Sequence, residues 1–105
     1  MIIRQKHNEK KLSSILDFVP IIRYRHKLFW TKESETIEWI DHFPNDSLLI
    51  DVGANIGLYS LYAASKGHSV LAFEPQSHNY SLLNSNIVLN NFQEKITAYS
   101  VCIYA

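Results

Sequence analysis

Leu48-Leu-Ile-Asp-Val-Gly-Ala-Asn-Ile-Gly-Leu-Tyr-Ser60 is the stretch whose reading decides the fold. Residues 48–52 are a short apolar run of strand length, and Gly53 ends it. Leu58, Leu61, Tyr62 and Ser65 then recur at i, i+3, i+4 and i+7, which marks one face of a helix. Gly67 stands where a helix C-cap glycine belongs. Ser69-Val-Leu-Ala-Phe73 is a second strand, closed by Glu74-Pro75. From about Ser77 to Asn90 a second helix puts Tyr80, Leu83 and Ile87 on one face, with Leu82 and Leu89 beside them. Ile96 to Ile103 is a third apolar, β-rich run, and Cys102 within it is expected to be a buried, inert thiol. Strand, helix, strand, helix, strand reads as consecutive right-handed βαβ units in a parallel sheet. Apolar strands without alternation predict burial on both sheet faces.

Upstream, Thr31 is placed to cap a helix running from Ser34 to Phe43, with glutamates in its first turns. Ile37, Ile40 and Phe43, helped by Trp39, supply its apolar stripe, and Pro44-Asn-Asp-Ser47 has the composition of a turn. Residues 1–30 are irregular, with Pro20 breaking any long helix. The net charge of the 105 residues is zero but unevenly spread. Residues 1–32 carry eight basic side chains against Glu9 and Asp17, while only Lys66 and Lys95 are basic beyond them. A basic lead-in therefore precedes an acidic body, either to neutralise it by intramolecular contact or to meet a partner.

Composition excludes several classes. The 47% hydrophobic and 12% aromatic content is that of a globular chain. Zero net charge gives no sign of a nucleic-acid partner. One cysteine and five scattered histidines offer no metal cluster, so no metal is expected. No apolar run approaches the ~20 residues of a membrane span. A cytoplasmic location is expected, because Asp17 and Pro20 interrupt the one stretch that mimics a signal peptide.

The candidate site lies where the first strand meets its helix. Gly53 lets the backbone turn sharply and lets a ligand come close. Gly57, in the first helical turn, is expected to let the helix pack closely on the strand. Asp51 sits at the strand's carboxyl end, the mouth of the crevice where open α/β sheets take ligands. Glu74 ends the next strand, 23 residues on, where a carboxylate can accept from both hydroxyls of a ribose. Taken singly, Asp51 could be a helix-capping carboxylate and Glu74 a surface glutamate. Together they ask for a ligand with a ribose that tolerates two acids. A pyrophosphate would be repelled, whereas the sulfonium and ammonium of S-adenosylmethionine would be attracted. The dinucleotide spacing G-x-G-x-x-G is also absent, since Asn55 occupies its middle glycine position.

At these residues the chain resembles the FkbM-type methyltransferases, whose early motifs read much like Leu49–Ser60. Ala72-Phe-Glu-Pro75, with Asn79, Leu82-Leu83 and Asn86 following, is similar to the family's second block, and residues 31–40 resemble the helix that leads into the domain. The resemblance implies an α/β fold, the Rossmann-like doubly wound parallel sheet of a class I methyltransferase, here truncated after about the third strand. It divides the chain into a basic lead-in (1–30) and the incomplete N-terminal half of a methyltransferase domain (31–105). It implies S-adenosylmethionine as cofactor, with Asp51 and Gly53 beside its methionine part, Glu74 on the ribose, and Pro75 and Gln76 flanking the adenosine. Asn55 and Gly57 complete the cofactor-binding loop. Asn79 and Asn86 are read as structural, one near a helix start and the other on its polar face, and Tyr59 as packing more than contact. The implied reaction is methyl transfer to a hydroxyl of a sugar, glycolipid or secondary metabolite. The substrate pocket and any general base are expected beyond Ala105, so the chain reads as a fragment, and neither a catalytic residue nor an oligomeric state is assigned. The alternatives are a non-catalytic nucleotide-binding or interaction protein and, disfavoured by the glycine spacing, an NAD-dependent oxidoreductase.

Overall fold

The computed structural model describes residues 34–103 and the backbone of two short N-terminal strands, β1 (Ile3–Gln5) and β2 (Leu12–Ser14), which pair antiparallel. The lead-in is thus not irregular at 3–5 and 12–14, where it pairs as strands, while Thr31 and Pro20, and with them the expected helix cap and helix break, lie outside the described residues. The elements that follow are α1 (Ser34–Asp41), β3 (Leu48–Val52), α2 (Leu58–Ser65), β4 (Ser69–Phe73), α3 (Ser77–Leu89) and β5 (Ile96–Tyr99). The last three strands form a parallel sheet in the order β3-β4-β5, with Asp51 opposite Ala72 and Val52 opposite Phe73. This is an α/β fold, consistent with the front of a Rossmann-like methyltransferase domain.

Local chemistry explains the boundaries. α2 ends in a Schellman motif about Gly67 (φ +92): the Gly67 N–H donates to Ala64 O at 2.9 Å and the His68 N–H to Ala63 O at 3.1 Å. α3 starts at Gln76, whose side chain accepts from the Asn79 N–H at 2.6 Å. The turn after α1 places Asp46 at positive φ, and the Ser47 hydroxyl donates to Pro44 O at 2.6 Å.

The core sits between the sheet and α2–α3: Leu49, Val70, Ala72 and Ile96 of the strands meet Leu61, Tyr62, Leu83 and Ile87 of the helices, and Ile40 of α1 joins them. Burial of this kind is the main stabilising contribution, about 1.5–3 kcal/mol for a fully buried Leu or Ile.

Several expectations need correcting. Burial on both sheet faces does not occur among the described residues, for Leu48, Ile50 and Val52 of β3 are more than half exposed. The reason is topological: strands stepping in one direction with right-handed crossovers put both α2 and α3 on one face. Phe73 and Tyr99 partly cover the other face by stacking at 5.3 Å. Trp39 does not join the stripe of α1; it is exposed and lies edge-on against Phe43 at 4.7 Å. The third strand stops at Tyr99, so Cys102 is exposed and not a buried thiol. Asn86 is fully buried and not on a polar face.

Candidate functional site

Asp51 and Glu74 end the two adjacent strands β3 and β4, and residues 53–57 loop between β3 and α2 beside them. The loop is clamped to β4 by its own backbone: the N–H groups of Gly53 and Ala54 both donate to Phe73 O, at 2.8 and 3.0 Å. Such a path needs left-handed residues, and Gly53 (φ +75), Asn55 (φ +54) and Gly57 (φ +98) supply them. Asn is among the few side-chain-bearing residues that accept this region, and Asn55 Nδ2 ties back to Gly53 O at 3.2 Å.

Glu74 is only 4% exposed. Its Oε1 accepts from the Asn55 N–H at 2.8 Å and its Oε2 from the Gln76 N–H at 2.9 Å. The surface-glutamate alternative therefore fails, since this carboxylate braces the loop and the start of α3 together. An ionised carboxylate offers about four acceptor positions, so one backbone donor on each oxygen leaves capacity for ligand hydroxyls. Pro75 follows directly and has no backbone N–H, so the next donor along the chain is that of Gln76, which Glu74 engages.

Asp51 is partly buried under α2. Its Oδ2 accepts from the Ser60 hydroxyl at 2.6 Å, and the Ser60 backbone N–H also donates to the carboxylate. Helix capping is thus one real task of Asp51, because Gly57 at the N-cap position has no side chain to do it. Burial above all, and then the charge of Glu74, push the Asp51 carboxyl above its ordinary value, while the Ser60 hydrogen bonds pull it down.

Gly57 acts against a different partner from the one expected. It is the N-cap of α2, and a Cβ there would come within 2.5 Å of Leu83 Cδ1, so it permits close approach of α3 to the loop and not of α2 to its strand. A Cβ on Gly53 would meet nothing within 4 Å, so that position opens to the crevice and its constraint is backbone φ alone.

Two positioning roles escaped the sequence, which reads Asn86 only as structural and passes over Ser60. Asn86 Nδ2 donates to Ile56 O at 2.7 Å, a buried strut from α3 to the loop. Its signal was present, since Asn86 falls at i+3 from Leu83 on the core face. Ser60 is the other; a serine inside an otherwise apolar helix segment, N3 from a glycine cap, was its signal. Gln76, expected beside the adenosine, spends its side-chain oxygen capping α3. Asn79 Nδ2 stands 3.5 Å from Asn55 Oδ1, and Tyr59 packs against the core at its margin.

Among the described residues no basic side chain pairs with Asp51 or Glu74; Lys66 pairs instead with Asp41, at the other end of the sheet. Two carboxylates and a permissive loop, with no counter-charge among the described residues, suit a cationic, hydroxyl-bearing ligand.

Known proteins bear on which one. No family model matches the chain. It is 41% identical over 51 residues to Methyltransferase 1 of Beauveria bassiana (strain ARSEF 2860), covering 47% of this chain and 20% of that protein. Methyltransferase sdnD of Sordaria araneosa is 43% identical over 54 residues, 50% of this chain and 21% of that protein. A tRNA (guanine(37)-N(1))-methyltransferase of Aedes aegypti is 32% identical over 76 residues, 70% of this chain and 14% of that protein. The chain matches about a fifth of the length of the first two relatives. These three relatives are named as methyltransferases. Among the described residues no helix is long and apolar enough to cross a membrane.

Proposed function

We propose that the chain is the donor-binding part of an S-adenosylmethionine-dependent methyltransferase of the FkbM type, working in the cytoplasm on a hydroxyl of a small molecule or glycan. The observation that carries this reading is the pair of carboxylates at the ends of β3 and β4, which no basic side chain meets among the described residues, one of them buried and braced. The likeness to proteins named methyltransferase supports it.

The residues present fit this cofactor. Glu74 keeps free acceptor positions for two ribose hydroxyls, Gly53 leaves open space at the loop, and Asp51 offers Oδ1 while Oδ2 is held by Ser60. When bound, S-adenosylmethionine supplies an electrophilic methyl group on a sulfonium. This part of the chain contributes by holding the donor in one orientation, so that an acceptor hydroxyl can be aligned with it; near-attack alignment is worth up to about 7–11 kcal/mol of a bimolecular barrier. Glu74 fixes the ribose end. Asp51 attracts the cationic end. The braced loop 53–57 sets the distance between them.

Calorimetric titration of the full protein with S-adenosylmethionine, S-adenosylhomocysteine and NAD tests the reading. Binding of the first two and not of NAD is expected. Binding of NAD alone would favour an oxidoreductase, and no binding of either methyl-cycle ligand would overturn the proposal. Transfer of labelled methyl to hydroxyl-bearing acceptors then separates an enzyme from a nucleotide-binding protein without chemistry.

A further inference from the structure

Resting on the reading of the crevice as a donor site, we infer that Ser60 is a positioning residue: its hydroxyl holds the Asp51 carboxylate ionised and aimed into the crevice, and so sets the site's preference for a cationic ligand. Ser60 is fully buried on α2, in a segment whose other buried residues are Leu61, Tyr62, Ala63 and Ala64. A buried hydroxyl is costly unless it is hydrogen-bonded. Its partner is Asp51 Oδ2 at 2.6 Å. That bond occupies one carboxylate oxygen and fixes the direction of the other.

The charged group facing Asp51 is Glu74, beyond the end of β4. The loop 53–57 and β4 contain no ionisable side chain, and α2 contributes only Tyr59 and Tyr62, the latter directed at Asp41. Nothing from these elements offsets the repulsion between the two carboxylates except hydrogen bonds. Burial and Glu74 favour the protonated acid, and Ser60 opposes both. Without the hydroxyl, Asp51 takes up its proton at a higher pH and loses its attraction for a sulfonium and an ammonium group. A neutral thioether is less affected. Ser60 therefore acts on the difference between donor and product, and not on the ribose contact.

The test uses the full-length protein in two arms. Carbon-detected NMR follows the Asp51 carboxyl against pH without ligand, in the wild type, Ser60→Ala, Ser60→Cys and Ser60→Thr. Ser60→Ala should raise the Asp51 midpoint by about one pH unit, the scale of a lost hydrogen bond to a carboxylate. Ser60→Cys, close in size and a poor donor, should do the same and carries the test if the alanine variant does not fold. Ser60→Thr should restore the midpoint. Calorimetry across pH should show Ser60→Ala weakening S-adenosylmethionine binding several-fold under mildly acidic conditions, with the gap closing as pH rises and a smaller change for S-adenosylhomocysteine. An unmoved Asp51 midpoint in the alanine and cysteine variants overturns the inference, as does an equal loss for both ligands at every pH, the signature of packing alone. If the wild type binds no donor, the proposed function fails by itself, while the ligand-free midpoint still decides the role of Ser60.

Discussion

The two ends of one sheet treat their polar groups in opposite ways. At the amino ends of the strands, Tyr62 donates to Asp41 at 2.7 Å, Lys66 approaches the same carboxylate at 3.6 Å, and the Ser47 N–H donates to His68 Nδ1 at 3.2 Å. The last bond fixes His68 as the Nε2–H tautomer. Burial and Asp41 together hold the Tyr62 phenol protonated far above its ordinary range. Asp41 there meets both an opposite charge and a hydroxyl donor within the fold. At the carboxyl ends, Asp51 and Glu74 receive only neutral donors among the described residues, and Lys66 and Lys95 are the only Lys or Arg side chains from residue 33 onward. A paired carboxylate at one end and, among the described residues, two acids without a counter-charge at the other separate stabilising chemistry from binding chemistry. The contrast can be broken by substitution.

The largest effect is expected from Glu74→Ala. Hydrogen bonds to a charged group are worth about 1.5–3 kcal/mol each, so S-adenosylmethionine and S-adenosylhomocysteine should both bind one to three orders of magnitude more weakly. The same change leaves the Asn55 and Gln76 N–H groups without their acceptor, and thermal unfolding should come earlier. Glu74→Gln should not rescue it, because one end of an amide must turn its NH2 toward one of those two donors. Calorimetry and melting curves on both variants check this.

Gly57→Val comes next, and it should cost stability first. Its Cβ would fall 2.5 Å from Leu83 Cδ1 at a φ of +98°, so overpacking and backbone strain add, each about 1–3 kcal/mol. Denaturant unfolding measures it.

Asp51→Asn should give a smaller, ligand-dependent effect, about tenfold on the donor at neutral pH for one lost charge contact of ~1.4 kcal/mol. The sign with pH follows from the direction of the shift. The folded-state pKa of Asp51 is raised, so ionisation opposes folding above that pKa and the opposition disappears as pH falls through it. Donor affinity runs the other way: a cationic ligand needs the ionised form, so affinity is lost as pH falls through the raised pKa. Asp51→Asn should therefore remove the pH dependence of donor binding and leave the fold slightly more stable at neutral pH. Calorimetry and melting across pH decide both halves.

Lys66→Ala should do least. The pair with Asp41 is partly exposed and worth less than about 1 kcal/mol, and donor binding should be untouched. A tenfold loss of donor affinity in this variant would erase the distinction between the two ends.

What the sequence shows of this molecule follows what is local. The strands at 48–52 and 69–73 carry their own ends in Gly53 and Pro75, and the Gly67 cap was legible because a left-handed C′ residue is almost a signature of glycine. The acids of the candidate site were legible from their positions at strand ends. Their partners were not. That Glu74 braces two backbone N–H groups, that Ser60 holds Asp51, and that Asn86 reaches Ile56 depend on how three elements pack, which periodicity does not encode. The exposed face of β3 was hidden for a related reason: Leu48, Ile50 and Val52 look like core, and only the common direction of the two crossovers places the helices elsewhere.

The central claim is that the donor sits at the carboxyl end of the sheet, against Glu74. The most direct measurement is backbone amide NMR of the full protein titrated with S-adenosylmethionine and, separately, with adenosine, which has the ribose but no cation. The Asn55 and Gln76 amides, which donate to Glu74, should shift with both ligands, and Ser60 should shift mainly with S-adenosylmethionine. Unmoved Asn55 and Gln76 amides at saturating donor, with shifts instead at Ser47 and His68, would place the ligand at the wrong end of the sheet and contradict the account.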